Sequence, residues 1–181
     1  SDEYGCKCYF SGEHGYPGEW LHVYNVCNDT KKDDVRDKLG INNPITFRYS
    51  VEAYWVKDAD VVFQEEYEDK KTGEKKVREK KDNTNCHMVI VARTYNAMRK
   101  LNYILSCAHD TGFYYKPRID LKSLFTLNKD EVYITSSCIA GWKYEDATEV
   151  WLKIWQHFGD SFFLEYQTHN TPEQKSLNKK I

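Results

Sequence analysis

The sequence predicts a single α/β domain, residues 1–181, built on a mainly parallel sheet or barrel. Segments with the apolar, β-branched pattern of strands alternate with segments of helical periodicity, which is typical of βαβ units. The 181 residues suffice for one sizeable core, and 15% of them are aromatic. Lys and Arg total 26 against 28 Asp and Glu, so the chain lacks the strongly basic balance of a dedicated DNA-coating module.

The N-terminal part of the sequence contains two predicted strands and an amphipathic helix. Residues 6–11 have the pattern of a buried strand, and a helix follows from Pro17. The polar stretch at residues 28–38 allows either a charged second helix or a loop. Residues 45–56 are β-branched and aromatic and predict one long strand. The apolar face of the helix comprises Trp20, Leu21, Val23, Tyr24 and Cys27.

A long charged stretch follows the second predicted strand. Residues 64–83 carry both charge signs and almost no apolar side chains, with Thr72 and Gly73 near the middle. They predict an exposed hairpin or a mobile loop inserted into the domain. Because the acids offset the bases, a solvated face is favoured over a nucleic-acid contact. The apolar run at residues 86–92 then predicts a buried strand.

A second amphipathic helix follows that buried strand. Thr94 is a suitable N-cap, and Gly112 is a suitable C-terminal stop. Pro117 favours an extended conformation over residues 113–120, and residues 121–125 predict a short helix. The predicted buried stripe of the second helix comprises Tyr95, Met98, Leu101, Ile104, Leu105 and Ala108.

The last predicted elements are a strand, a helix and a final strand. Residues 132–137 and 161–166 have strand patterns. Residues 146–158 have helical periodicity, which Gly159 ends. The inward face of this helix comprises Val150, Trp151, Ile154, Trp155 and Phe158.

Neither a membrane anchor nor a disulfide framework is apparent in the sequence. No stretch reaches the roughly 18 apolar residues of a membrane span, and no secretory signal peptide is visible. Cysteine occurs without a CxxC pair, which favours reduced thiols in a cytosolic protein over disulfides. The cysteines are Cys6, Cys8, Cys27, Cys86, Cys107 and Cys138.

Four potential metal ligands lie at the edges of apolar β-like runs. They are His14, Glu52, His87 and Cys138. Groups placed in this way on successive strands can converge at one end of a sheet or barrel. Imidazole, carboxylate and thiolate are the usual ligands of zinc and related ions. Glu13 is a candidate fifth ligand, or a partner that orients an imidazole.

Each candidate ligand also has a structural interpretation. A histidine at the end of a strand is often a satisfied structural residue, and Cys138 alone is often a small buried hydrophobe. Glu52 is harder to dismiss, because a buried carboxylate is costly without a partner. A nucleophilic role for Cys138 is conceivable, but nothing in the sequence places a base beside it. A glycine-rich phosphate loop, a GxSxG elbow and an HExxH motif are all absent.

The candidate ligands lie in motifs that resemble, in the same order, those of PHP (polymerase and histidinol phosphatase) domains. The segments are GEHG at 12–15, VEAY at 51–54, CHMVIVAR at 86–93, GFYYKPRID at 112–120, SCIAG at 137–141 and FFLEYQTHNTPEQK at 162–175. The fourth and fifth segments resemble the branch found in the alpha subunit of bacterial replicative DNA polymerase III. Stand-alone PHP phosphatases are expected to have histidine at the position of Cys138.

The resemblance implies a distorted (β/α)₇ barrel with up to three metals. This chain is then expected to be a partial barrel that misses the first and last strands. The H-x-H motif expected on the first strand and the D-x-H motif expected on the last are absent, and both ends look truncated. Glu13 stands where aspartate is more common, and Ser50 stands where glycine usually precedes the Val51–Glu52 pair.

The resemblance also implies a function in DNA replication. The chain is expected to be a fragment of the PHP domain of a cytoplasmic DNA polymerase III alpha subunit, a nucleotidyltransferase. The intact domain would have a metal-dependent phosphoesterase or 3′–5′ exonuclease role, and the fragment alone would be inactive. The divergence and the charged insertion favour a phage-encoded protein. The expected partners are the remaining polymerase domains and, through them, DNA, with no membrane.

The resemblance assigns the site as well. His14, Glu52, His87 and Cys138 would bind zinc, manganese or iron in an incomplete cluster. Lys116 or Arg118 would hold a substrate phosphate, with a structural salt bridge as the equal alternative. A stand-alone metal-dependent phosphatase and a catalytically silent structural module remain the two alternatives for the function.

Overall fold

A computed structural model describes residues 7–10, 12–16 and 18–181. The strands are β1 (Cys8–Phe10), β2 (Thr46–Arg48), β3 (Ser50–Val56), β4 (Val62–Glu68), β5 (Lys75–Lys81), β6 (Cys86–Ala92), β7 (Arg118–Asp120), β8 (Val132–Thr135) and β9 (Phe162–Phe163). The helices are α1 (Trp20–Asp29), α2 (Asp33–Leu39), α3 (Tyr95–Asp110), α4 (Leu121–Leu124), α5 (Ala147–Phe158) and α6 (Pro172–Asn178). The fold is thus mixed α/β.

A five-stranded sheet forms the centre, in the order β7-β3-β6-β8-β9. Strand β6 runs antiparallel to both β3 and β8, whereas β7 is parallel to β3 and β9 is parallel to β8. The prediction of a mainly parallel sheet is therefore wrong. The physical reason is the connection between β3 and β6, which contains the β4–β5 hairpin instead of the crossover helix that a parallel pair needs.

The sheets of the described part of the chain do not close into a barrel. Strands β1 and β2 pair with each other in parallel, and β4 and β5 form a separate antiparallel hairpin. The five-stranded sheet ends at β7 on one side and at β9 on the other. The (β/α)₇ barrel implied by the family resemblance is consequently not confirmed.

One hydrophobic cluster joins the central sheet to α3 and α5. Trp55 on β3 and Trp151 on α5 pack edge to face, with ring centroids 5.3 Å apart. Fully buried aliphatic side chains such as Met88, Leu101 and Ile154 surround them. Each such side chain contributes about 1.5–3 kcal/mol by its removal from water. This packing fixes β3 and β6, the strands that carry Glu52 and His87.

Several predicted strands are shorter than expected. Residues 45–56 form two strands, β2 and β3, which separate at Tyr49 and belong to different sheets. The strands predicted at 132–137 and 161–166 shrink to β8 and β9. Strand β1 is exposed, contrary to the expected buried strand at residues 6–11, of which Cys6 and Ser11 lie outside the described residues.

The helices agree better with the sequence, except in their outer residues. Thr94 caps α3 by accepting a hydrogen bond from the Ala97 amide, as predicted. Tyr95 and Trp155 are 69% and 53% exposed, which corrects their assignment to buried faces. Tyr95 is the first residue of α3, and Trp155 lies on the rim of a surface groove. In α1 only Cys27 is buried, because the helix packs on the short strand β2.

The charged stretch at residues 64–83 lies mostly within the β4–β5 hairpin, which has Gly73 at its turn. Within the part of the chain that the structure describes, no helix is long and apolar enough to cross a membrane.

Candidate metal centre

Glu52 and His87 lie on the face of the sheet that points away from the hydrophobic cluster. Alternate residues of a strand point to opposite faces, and on β3 the partly exposed Glu52 and Tyr54 alternate with buried neighbours. In the antiparallel register, Tyr54 lies opposite His87 and Glu52 lies opposite Val89. The side chains of Glu52, Tyr54 and His87 therefore meet on one face. The indole N–H of Trp55 donates to the His87 carbonyl at 3.1 Å.

Main-chain hydrogen bonds bring His14 to this face. The Glu52 amide donates to the Glu13 carbonyl at 2.9 Å, and the Gly15 amide donates to the Glu52 carbonyl at 2.8 Å. Gly15 has φ of +76°, and a Cβ there would lie 3.0 Å from the Tyr54 ring and 3.1 Å from Pro117. Only glycine satisfies both the conformation and the close approach without displacing its neighbours.

Cys138 reaches the same place from the end of β8. The chain turns at Ser137, which has φ of +53°. Gly141 allows the turn to pack closely, since a Cβ there would lie 2.4 Å from the Ser136 carbonyl oxygen and 2.8 Å from that of His87. A left-handed conformation at a serine is strained, and such strain is typical of functional sites.

The four candidate ligands form one cluster around the Glu52 carboxylate. Oε1 of Glu52 lies 2.9 Å from Nδ1 of His87, and Oε2 lies 3.0 Å from Nε2 of His14. Sγ of Cys138 lies 3.5 Å from Nδ1 of His87 and 3.9 Å from Oε1 of Glu52. The Ser137 hydroxyl donates to Oε1 of Glu52 at 2.7 Å. The carboxylate on β3 thus links side chains from three other segments of the chain.

The surroundings of Glu52 favour its ionised form. Burial acts to raise the pKa of Glu52, whose side chain is only 13% exposed. Hydrogen bonds from His87 and Ser137, together with the nearby imidazoles, outweigh this effect and lower the pKa below its ordinary value. The carboxylate is therefore available as an anionic ligand at neutral pH.

The donor set suits a divalent metal. Ligand atoms of His14, Glu52 and His87 all lie within 4.8 Å of one another, and the Cys138 thiol adjoins them. Two imidazoles, a carboxylate and a thiol are the donors that zinc and similar transition metals accept. His87 is 16% exposed and His14 is 55% exposed, so the cluster opens to solvent on the His14 side.

Glu13 is directed elsewhere. Its two carboxylate oxygens accept the Glu19 amide at 3.0 and 3.1 Å, just before the first turn of α1. The geometry therefore gives no support to Glu13 as a fifth ligand. It instead connects the segment that carries His14 to the start of the following helix.

The two candidate phosphate-binding residues differ in position. Lys116 places its ammonium nitrogen 5.1 Å from the ring centre of Tyr54, whose hydroxyl lies 3.5 Å from Nδ1 of His14. Arg118 is 1% exposed. Its guanidinium donates at 2.8, 2.7 and 3.1 Å to carbonyls, namely those of Gly112, Asp82 and Ala59. Arg118 is thus committed to the interior, and only Lys116 lies near the cluster.

Sequence reasoning missed Ser137 and His109. The sequence does not reveal the positive φ of Ser137, which turns its hydroxyl toward Glu52. His109 lies in the last turn of α3, and its Nε2 lies 3.2 Å from the Gly15 carbonyl oxygen. Only the tertiary structure brings these residues to the site, since 94 positions separate His109 from Gly15.

Comparison with known proteins identifies the family of this chain. The sequence profile of PHP domains matches residues 4–169. The chain belongs to the PHP domain family. PHP domains are generally metal-dependent, and this one has, in His14, Glu52 and His87, groups that could bind a metal ion.

The curated relatives of this PHP domain that we compare are alpha subunits of DNA polymerase III. It is 32% identical over 108 residues to DNA polymerase III subunit alpha of Aquifex aeolicus, covering 55% of this chain and 9% of the relative. The corresponding subunit of Borreliella burgdorferi is 30% identical over 103 residues, covering 52% of this chain and 9% of the relative. The Deinococcus radiodurans subunit is 32% identical over 100 residues, covering 51% of this chain and 7% of the relative. The chain spans less than a tenth of the length of these relatives.

Proposed function

We propose that this PHP domain belongs to a DNA polymerase III alpha subunit and acts in cytoplasmic DNA replication, where it holds a divalent metal for phosphodiester chemistry. The other polymerase domains would be its partners and would bring it to DNA. The family match and the polymerase names of the curated relatives support this assignment.

The Glu52 carboxylate is the observation that carries the proposal. It lies within 3.0 Å of a nitrogen of each of the two histidines and adjoins the Cys138 thiol. A network built only for packing has no need for three different metal-ligand types around one point. His14, Glu52, His87 and Cys138 are therefore the residues that would hold zinc, manganese or iron, and the thiol favours the softer of these ions.

The surrounding side chains have distinct tasks. Ser137 orients the Glu52 carboxylate, and Tyr54 lies beside His14. Lys116 provides a positive charge above the Tyr54 ring, where a substrate phosphate can be held. A bound divalent metal that keeps one coordination position open would supply a water of lowered pKa and charge neutralisation for the phosphodiester. In the whole subunit this chemistry would serve a phosphoesterase or 3′–5′ exonuclease.

The number of protein donors limits what these four residues do alone. Four protein ligands close the coordination of a tetrahedral zinc, whereas catalytic sites keep a position open for water. If all four residues bind one ion, that ion has no place for a nucleophile. We therefore expect this chain by itself to bind metal and to hydrolyse phosphodiesters very slowly.

Metal analysis of the purified chain tests the proposal. The chain is incubated with zinc, manganese or ferrous iron and dialysed, and the bound metal is counted by mass spectrometry. We expect about one ion per chain, with affinity at least about tenfold lower after Glu52→Ala. Glu66→Ala, at an exposed position of β4, is the matched control and should bind as the wild type does. Absence of binding, or equal binding by Glu52→Ala, would refute the proposed site.

Hydrolysis of a chromogenic phosphodiester in the presence of manganese or zinc tests the catalytic part. We expect little turnover from the chain alone. Robust turnover that disappears in Glu52→Ala would show that the four ligands leave a position open for water, against the closed coordination argued above.

A catalytically silent module is the second candidate, and one observation favours it. The Glu52 carboxylate is already satisfied by His14, His87 and Ser137. Such a network can stabilise a fold without metal. The same metal analysis separates the two candidates, because the silent module predicts no metal uptake and no gain in thermal stability with added metal.

A further inference from the structure

The β4–β5 hairpin separates its charges by face. In the antiparallel register, Phe63, Glu65 and Tyr67 lie opposite Lys80, Arg78 and Lys76. Directly opposed residues share a face, so one face combines three cations and two aromatic rings with a single strand carboxylate. The other face carries Glu66, Glu68 and Glu79, with Lys75 and Lys81. The near-neutral composition of the segment conceals this separation.

Arg78 lies at the centre of the basic face. Its Cζ lies 4.9 Å from the Tyr67 ring centre, and its side chain is 55% exposed. Arg78 and Lys80 share the single carboxylate of Glu65, at 2.6 Å each. Lys76, the third cation of this face, is paired with Asp69 at 2.6 Å and lies 3.8 Å from Glu74. Around Glu65, however, one anion faces two cations, so positive charge remains there for a further anionic group.

A strained turn presents an aromatic ring near this face. Tyr114 donates its amide to the Lys116 carbonyl at 3.1 Å, which leaves Tyr115 at the tip of a tight turn. Tyr115 has φ of +60°, and its side chain is 70% exposed. Burial of the ring does not compensate for this unfavourable backbone conformation. An exposed ring held in this way is typical of a residue that contacts a ligand.

The turn connects the hairpin to the metal centre. Arg118 donates to the Asp82 carbonyl, just after β5, at 2.7 Å, and its Cζ lies 5.4 Å from the ring centre of Tyr114. The ring centres of Tyr114 and Tyr115 are 4.7 Å apart. On the other side of the turn, Lys116 lies above the Tyr54 ring, beside His14. Cations and aromatic rings thus extend from the hairpin through the turn to the cluster.

We propose that the basic hairpin face and the Tyr114–Lys116 turn bind a single-stranded nucleic acid and guide its backbone toward the metal centre. Its delivery to a reaction centre rests on the proposed function, whereas the binding itself does not. Exposed rings on which bases stack, combined with cations that contact phosphates, are the features of sequence-tolerant single-strand binding. The acidic opposite face would keep the strand on the side of the hairpin that leads to His14.

Fluorescence anisotropy with a labelled oligothymidylate of about 16 nucleotides tests this surface. EDTA is present throughout, so that a metal at the cluster does not affect the result. We expect Tyr115→Ala to weaken binding about fivefold or more, and Tyr115→Phe to retain it. Arg78→Ala and Lys116→Ala should each reduce the slope of log affinity against log salt by about 0.7.

Two variants serve as matched controls. Lys75→Ala removes a cation from the opposite face of the hairpin, and Tyr95→Ala removes a ring of similar exposure at the start of α3. Neither should change the affinity. Absence of binding at low salt, or equal losses in the Lys75→Ala and Arg78→Ala variants, would refute the surface. A duplex that binds better than the single strand would also refute it.

Zinc uptake by the same proteins distinguishes this inference from the proposed function. Oligonucleotide binding without zinc uptake would remove the metal centre and leave the surface intact. Zinc uptake without oligonucleotide binding would refute the binding surface and leave the metal centre intact. Tyr115→Ala should bind zinc normally, so a loss of both properties in that variant would indicate misfolding, and Tyr115→Phe then decides.

Discussion

Glu52 is the residue on which the site depends. A largely buried carboxylate in the middle of a strand is costly without partners, and here two imidazoles and a hydroxyl surround it. The strand alternation that buries Val51 and Ala53 also directs Glu52 to the opposite face. The position of Glu52 at the candidate metal centre therefore depends on the burial of its two neighbours in the core.

Gly15 gives a prediction at the residue scale. Gly15→Ala should destabilise the chain by about 1–2 kcal/mol through backbone strain alone, with a further loss as Tyr54 and Pro117 are displaced. Metal affinity should fall as well, because His14 is the preceding residue. Gly40→Ala is the control, since Gly40 has φ of +63° but no atom within 4 Å of the added Cβ. Urea unfolding of both variants measures the difference, and equal losses would contradict the close approach.

Asp82 gives a pH dependence. Burial acts to raise its pKa, but hydrogen bonds from Thr84 and Tyr144 and the charge of Arg118 lower the pKa overall. A depressed pKa means that the stabilisation is complete above the unfolded value of about 3.9 and is lost as the pH falls through the folded value. The wild type should therefore be more stable than Asp82→Asn at pH about 7, by about 1–2 kcal/mol.

The difference in stability between the wild type and Asp82→Asn should vanish at the lowest pH at which both still fold, because asparagine mimics the protonated acid. Urea unfolding across the acid range measures it. A difference that is independent of pH would show that Asp82 does not act through its charge.

At the scale of elements, Arg118 connects the two ends of the β4–β5 hairpin to the central sheet by hydrogen bonds. It lies on β7 and donates to the carbonyls of Ala59 and Asp82, which flank the hairpin, and to that of Gly112 after α3. A buried carbonyl without a partner costs about 1–3 kcal/mol. The carbonyls of three connecting segments thus receive their hydrogen bonds from the one guanidinium of Arg118.

Arg118→Leu should therefore lower the free energy of unfolding by about 3 kcal/mol or more. The reason is the loss of three hydrogen bonds in the interior, where leucine offers no donor. Chemical denaturation measures the change, with Arg99→Leu on the outside of α3 as the control. A loss of less than about 1 kcal/mol would mean that water replaces the guanidinium.

At the scale of the whole molecule, local features were predictable and topology was not. Thr94, the apolar periodicity of α5 and the run at β6 have local causes in capping and amphipathicity, and these elements were confirmed. The antiparallel direction of β6 depends on the path of residues 57–85, which connect β3 to β6. No local sequence pattern specifies that path.

The candidate site shows the same division. The sequence offered the candidate ligands, a carboxylate, two imidazoles and a thiol at strand edges, but left a structural role open for each, and only the family resemblance joined them into one set. Their distances depend on the positive φ of Ser137 and on the close packing at Gly15 and Gly141. The sequence also could not show that Arg118 is buried, because only the fold provides the three carbonyls that surround it.

X-ray absorption of the zinc-loaded chain tests the central claim most directly, because it counts the sulfur and nitrogen or oxygen neighbours of the metal. With His14, Glu52, His87 and Cys138 as ligands, we expect one sulfur at about 2.3 Å and imidazole scattering from two histidines. Cys138→Ser should remove the sulfur and leave the imidazoles. A zinc ion surrounded only by oxygen, or a sulfur signal that persists in Cys138→Ser, would contradict the account.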